Sequence, residues 1–171
     1  VRAFDTAEAA HVRRLTATAP LAGVWHAAGV LADALLPAQD ALALARVYAP
    51  KAHGAWCLSA ACKMHGARAF GLFSSVAALL GGAGQANYAA ANACLDALGN
   101  CRRAHGVAAT SIQWGAWAEV GMAACGAASA RIAAMEATTG LGRIAPAQGL
   151  TALSVATQLG AFAVMGMFVI A

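Results

Sequence analysis

The strongest constraint on this chain is an alternation in which short apolar runs of strand character give way to longer stretches of helical periodicity. Val1 to Phe4, Leu21 to His26, Phe70 to Ser74, Thr110 to Trp114 and Ala163 to Ile170 carry the first pattern. Ala7 to Ala17, Pro37 to Val47, Lys51 to His65, Asn87 to His105, Ser129 to Ala137 and Ala147 to Gln158 carry the second. The connections are too long for hairpins, so the strands are expected to run parallel and to be joined by right-handed crossovers. The expected fold is α/β, a doubly wound parallel sheet. Ligands of such sheets sit outside the carboxyl ends of the strands, which points to Ala27-Ala28-Gly29, Ser74-Ser75 and Gly115-Ala116-Trp117.

No repeat and no Ser- or Pro-rich linker divides the 171 residues. They read as a single domain, 1–171, incomplete at both ends. The chain opens on Val1 and ends in the apolar run Phe162 to Ala171. The strand, glycine-rich turn and helix that hold a pyrophosphate in dinucleotide-binding folds are not found. Gly81-Gly82-Ala83-Gly84 does not supply them, because it follows Ser75 and Leu80 and leads into the helix of Tyr88.

With 61% hydrophobic and 11% charged residues, two stretches lack charge altogether, from Arg68 to Asp96 and after Arg143. Each is long enough to raise a membrane span. Gly81, Gly82, Gly84, Gln85, Asn87 and Asn92 interrupt the first, and Pro146, Gln148 and Gln158 the second. Buried parallel strands give the same apolar runs, so no span is expected. The net charge of +4 is scattered apart from Arg13-Arg14 and Arg102-Arg103, which read as solvated helix faces. Aromatics are 6% and no basic stripe interleaves them, so nucleic-acid binding is not expected. Cys57, Cys62, Cys94, Cys101 and Cys125 form no disulfide framework, which fits the cytoplasm or another reducing compartment. Cys57, Cys62 and His65 lack a second ligand pair for zinc, so no metal is expected.

The chemistry is concentrated between Ser75 and Asn92. Ser75 ends a strand, Tyr88 enters a helix beyond the glycines, and Asn92 lies one turn further on the same face. A carbonyl between Ser75 and Tyr88 could accept two hydrogen bonds, and the phenol could give it a proton. A phenol with a pKa near ~10 needs a cation to stabilise the phenolate, and Lys51 is the candidate. Taken singly, Ser75 also reads as a turn residue, Tyr88 as half-buried core, Asn92 as a satisfied helix polar group and Lys51 as solvated surface. The glycine-rich loop, which lets a ligand approach the backbone, is what those readings leave unexplained.

The segments Phe73-Ser74-Ser75-Val76-Ala77-Ala78-Leu79-Leu80-Gly81 and Gly84-Gln85-Ala86-Asn87-Tyr88-Ala89-Ala90-Ala91-Asn92-Ala93 resemble the catalytic stretch of ketoreductase domains of modular polyketide synthases. These domains are members of the short-chain dehydrogenase/reductase superfamily. The resemblance continues through His26-Ala27-Ala28-Gly29-Val30, Lys51 with Gly54, Leu95-Asp96-Ala97-Leu98 and Trp114-Gly115-Ala116-Trp117 with Gly121-Met122. It implies a Rossmann-like sheet and reduction of a β-ketoacyl thioester, carried on the phosphopantetheine of an acyl carrier protein, with NADPH as cofactor. Other synthase domains in the same chain are implied partners, and the 171-residue piece is expected to be inactive alone.

The resemblance makes Tyr88 the proton donor, Ser75 the carbonyl partner, Lys51 the ribose-binding cation that lowers the Tyr88 pKa, and Asn92 a support. Lysine and asparagine thus stand exchanged relative to the commoner Tyr-x-x-x-Lys pattern. Asp5, Ala27, Ala28 and Gly29 are implied adenosine contacts, and Gly115 and Trp117 nicotinamide neighbours. Asp33, Leu80 and Met122 are implied on the substrate side. Leu31-Ala32-Asp33, and Leu80 where reductases of the opposite hand carry Trp, imply a D-configured alcohol. His26 reads as packing. Two rivals stay open: a non-catalytic structural half-domain, and a free-standing short-chain dehydrogenase.

Overall fold

A computed structural model describes residues 5–17, 21–62, 67–119 and 126–158. In chain order it contains α1 (Ala9–Ala17), β1 (Gly23–His26), a 3-10 turn (Leu36–Ala38), α2 (Ala41–Tyr48), a π-helical turn (Ala49–His53) and α3 (Gly54–Cys62). Then follow β2 (Ala69–Ser75), α4 (Ala77–Leu80), α5 (Ala86–Ala104), β3 (Thr110–Trp114), α6 (Gly126–Thr139) and α7 (Pro146–Gln158). The strands form one parallel sheet in the order β1-β2-β3, with His26 beside Leu72 and Ser75 beside Trp114.

Strand side chains alternate between faces, and β2 uses both. Phe70 and Leu72 are buried against Val12, Leu58, Cys62, Leu95 and Leu98, so α1, α3 and α5 contribute to this core. Phe73 turns the other way, toward Ile112, Trp114, Ile144 and the α7 residues Ala152 and Ala156. Helices therefore contribute to cores on both faces, as a doubly wound sheet requires. On this second face the Trp25 ring lies over Gly71, where a Cβ would come within 2.0 Å of it. Only glycine leaves room for that ring. Cys57 and Cys62 are buried in the first core.

Several sequence expectations shift. The helix expected over Pro37 to Val47 breaks at Gln39 and restarts at Ala41, because the Asp40 carboxylate accepts the Ala43 N–H at 2.7 Å and caps a new helix. Lys51 does not open a helix; it lies in the π turn that joins α2 to α3. The short α4 was not anticipated. Arg102 is not on a solvated face: it is 3% exposed, lies 4.0 Å from the Phe70 ring and donates to the Ser59 hydroxyl at 2.8 Å and to the Ser59 and Ala108 carbonyls. Arg13 and Arg14 are exposed as expected. The strands expected at Val1 to Phe4 and Ala163 to Ile170 lie outside the described residues, as do His65, Met122 and Cys125. Among the described residues no helix is long and apolar enough to cross a membrane.

Candidate active site

The site is assembled at the carboxyl end of β2. Ser75 ends the strand, and its Oγ accepts the Ala77 N–H at 3.2 Å, which starts α4. Gly81 and Gly84, with φ of 74° and 72°, turn the chain back toward α5 in the left-handed region that favours glycine. Tyr88 stands half-buried in the first turn of α5. One turn on, Asn92 is wholly buried and its Nδ2 donates to the Tyr88 carbonyl at 2.8 Å. The Ser74 hydroxyl donates to the Asn92 carbonyl at 3.2 Å, so α5 is tied to β2 beside the site.

Lys51 enters from the π turn. It is 3% exposed, its Nζ donates to the Phe73 carbonyl at 3.0 Å, and the ammonium lies 5.4 Å from the centre of the Tyr88 ring. Burial lowers its pKa to about 8, against the pull of the Asp96 carboxylate, which favours the cation. Tyr88 shifts the other way. Burial pushes its phenol up, hydrogen bonds with Ser75 and Asn92 hold it back, and the Asp33 charge pushes it further up. Desolvation is the largest of these influences, and the Lys51 ammonium faces the ring. The phenol is consequently protonated at neutral pH, the state a proton donor needs.

The remaining predicted residues fall as follows. Ala27, Ala28 and Gly29 leave the end of β1 without regular structure, Ala27 exposed and the other two half-buried. Asp5 is exposed, and its carboxylate accepts the Ala7 N–H at 2.9 Å just before α1. Gly115 is half-buried after β3. Trp117 packs its indole on Trp114, with ring centres 5.1 Å apart, and on Gly149 of α7. Leu80 is exposed at the end of α4. Asp33 accepts from Gln85 Nε2 at 3.3 and 3.4 Å. The loops that carry Asp33 and Gly84 are further joined by Ala34 N–H to the Gly84 carbonyl at 2.9 Å and Asn87 Nδ2 to the Ala32 carbonyl at 2.8 Å.

Two residues of the site were not read from the sequence. Asp96 accepts from Ser111 Oγ at 2.5 Å and Gln113 Nε2 at 2.8 Å, fixing α5 to β3. The spacing of Tyr88, Asn92 and Asp96 along one helical face could have found it. His26, read as packing, has its Nε2 2.9 Å from the Lys51 carbonyl.

A half-buried phenol beside a strand-end serine, with a buried lysine over its ring and an asparagine one turn up, at the open end of a parallel sheet, defines a reductase site of the short-chain type. The profile of the KR domain matches residues 1–119, and the chain belongs to this family, the ketoreductase domains of polyketide synthases. It is 46% identical over 142 residues to phthioceranic/hydroxyphthioceranic acid synthase of Mycobacterium tuberculosis, covering 80% of this chain and 7% of that one. It is 45% identical over 160 residues to polyketide synthase GfsB of Streptomyces halstedii, covering 94% and 3%. Its fold matches the first ketoreductase of the tylosin polyketide synthase with a TM-score of 0.81 at 38% identity, over 92% of this chain and 33% of that one. The chain thus spans a small part of its curated relatives and a third of that solved ketoreductase. The family's chemistry is the reduction of a ketoacyl group with a nicotinamide cofactor.

Proposed function

We propose that these residues form the catalytic part of an NADPH-dependent β-ketoacyl reductase acting on thioesters carried by the phosphopantetheine of an acyl carrier protein, in polyketide or fatty acid synthesis. The observation that carries this reading is the placing of the Lys51 ammonium 5.4 Å from the Tyr88 ring, beside the end of the strand that presents Ser75. The residues suit a nicotinamide nucleotide. Lys51 spends one N–H on Phe73 and keeps two for ribose hydroxyls, and Asn92 Oδ1 is a buried acceptor with no partner among the described residues. Asp5 and Ala27 to Gly29 would take the adenosine, and Gly115 with the Trp117 backbone the nicotinamide end. When bound, the cofactor supplies hydride to the carbonyl carbon.

The chain's own groups deal with the oxygen. Ser75 Oγ accepts from Ala77 and its hydroxyl hydrogen-bonds the Tyr88 phenol, so a substrate carbonyl that enters between the two would take over the Ser75 proton. Tyr88 gives its proton to that oxygen as negative charge gathers there. The Lys51 cation stabilises the phenolate that remains. Asn92 holds the Tyr88 carbonyl and so the turn from which the phenol projects. Asp33, Leu80 and Met122 would flank the acyl chain, and the alcohol would be D-configured.

Other synthase domains of the same polypeptide, in the cytoplasm or another reducing compartment, complete the proposed setting. The 171 residues alone would not support turnover, because no described helix opens on a glycine-rich turn directly after a strand. The filled catalytic positions favour this reading over a structural half-domain. The test offers a β-ketobutyryl pantetheine thioester and NADPH to the complete ketoreductase domain, following cofactor oxidation and separating the product on a chiral column. Formation of the D-hydroxyacyl thioester is expected. NADPH binding without reduction would overturn the enzymatic reading, and an L product would overturn only the stereochemical one.

A further inference from the structure

We infer that His26 is a positioning residue for Lys51, its imidazole N–H holding the π turn that aims the ammonium at Tyr88. The inference rests on the reading of Lys51 as part of a reductase site. A π turn is a local insertion that a helix keeps only where the surroundings favour it, and such turns gather at functional sites. Here Pro50, within the turn, has no N–H to give, and the carbonyls of the turn find donors elsewhere in the chain. The Gly54 N–H reaches the Ala49 and Lys51 carbonyls. Thr6 Oγ1 donates to the Pro50 carbonyl at 3.3 Å, from before α1. A Cβ on Gly54 would lie 2.5 Å from that hydroxyl, so glycine lets Thr6 close on the turn. His26 Nε2 donates to the Lys51 carbonyl at 2.9 Å from the end of β1.

The consequence is a closed circuit. His26 pairs with Leu72 across β1 and β2, and the next residue of β2, Phe73, offers the carbonyl that receives the Lys51 ammonium. The lysine is therefore fixed at its backbone by one strand and at its tip by the neighbouring strand. Both contacts are shielded, His26 being 2% and Lys51 3% exposed. A carbonyl partner requires the proton on Nε2. Burial lowers the His26 pKa, hydrogen bonding to the Lys51 and Pro50 carbonyls offsets part of that and the Lys51 charge adds to the fall, while Asp96 is the anionic group acting on Lys51. An aliphatic side chain at 26 could fill the space but could not hold the carbonyl.

The experiment compares His26→Leu, His26→Asn and His26→Gln in the complete domain. Glutamine can place an amide N–H near the Nε2 position, whereas asparagine falls short. The first readout needs no turnover: the rate at which a water-soluble amine-acylating reagent labels Lys51, followed by mass spectrometry. Labelling is expected to rise about tenfold in the Leu and Asn variants and to stay near wild type in Gln. The second is the pH limb of alcohol oxidation, which requires the phenolate. It should move to higher pH in Leu and Asn and return in Gln, with kcat falling about tenfold or more and KM for the alcohol little changed. If Leu does not fold, the Asn and Gln pair decides. Unchanged labelling and pH limb in Asn, or Gln as impaired as Asn, overturns the inference. A wild-type domain that reduces no ketoacyl thioester would instead count against the proposed function, and the labelling result would still stand for or against His26.

Discussion

Replacing Lys51 by methionine should remove catalysis and stabilise the fold at neutral pH. The fall of the Lys51 pKa from 10.5 to about 8 corresponds to about 3 kcal/mol by which burial disfavours the cation. Below pH 8 the folded and unfolded forms both carry the proton, so the wild type bears this whole penalty. Between about 8 and 10.5 the unfolded state binds more protons than the native one, and wild-type stability rises with pH. Above that range both forms are neutral and the penalty has gone. Methionine does not titrate, but it leaves the Phe73 carbonyl without its donor, a pH-independent cost of about 1–3 kcal/mol. The variant is thus expected to be more stable than wild type by about 0–2 kcal/mol at pH 7, with an advantage that shrinks and changes sign toward pH 10. Urea unfolding of the complete domain, followed by tryptophan fluorescence at several pH values, measures the difference. A stability difference that does not vary from pH 7 to pH 10 would refute the argument.

Tyr88→Phe removes the transferable proton alone, so kcat for ketone reduction should fall about 10²–10⁴-fold while NADPH affinity is kept; near-normal turnover would exclude the phenol from the reaction. Gly149→Ala sets a Cβ 2.2 Å from the Trp117 ring and should cost about 1–3 kcal/mol, read as a lower thermal midpoint. An unchanged midpoint would show that α7 does not pack on this indole.

The parts legible in the sequence are those fixed by local pattern. β3 has the bounds expected of it, and α5 differs by a single residue at each end, because a long periodic stretch with Arg102 and Arg103 in its last turn specifies itself. Ser75, Tyr88 and Asn92 were legible as neighbours because only the short α4 and a glycine turn separate β2 from α5. The π turn was not. Proline usually marks a helix start, and here the turn persists because Thr6 and His26, 44 and 25 residues away from their partners, supply its donors. The burial of Arg102 was hidden for the same reason, since its partner Ser59 sits 43 residues earlier. The upward shift of Tyr88 depends on how many atoms surround the phenol, which no spacing rule gives.

The two loops beside Tyr88 behave as one wall. The Asp33 carboxylate and the Ala32 and Ala34 backbone are fastened to Gly84, Gln85 and Asn87, and Gln39 Nε2 adds a bond to the Ala34 carbonyl at 2.9 Å. Residues at which product handedness would be set thus sit on strips of chain that cannot move independently. Grafting one strip from a reductase of opposite hand would leave its partner's hydrogen-bonding groups mismatched, and the disturbance would arrive at Tyr88 through Asn87. The natural unit of exchange for altering stereochemistry in this scaffold is the pair, residues 31–39 together with 81–87, transplanted as a single piece.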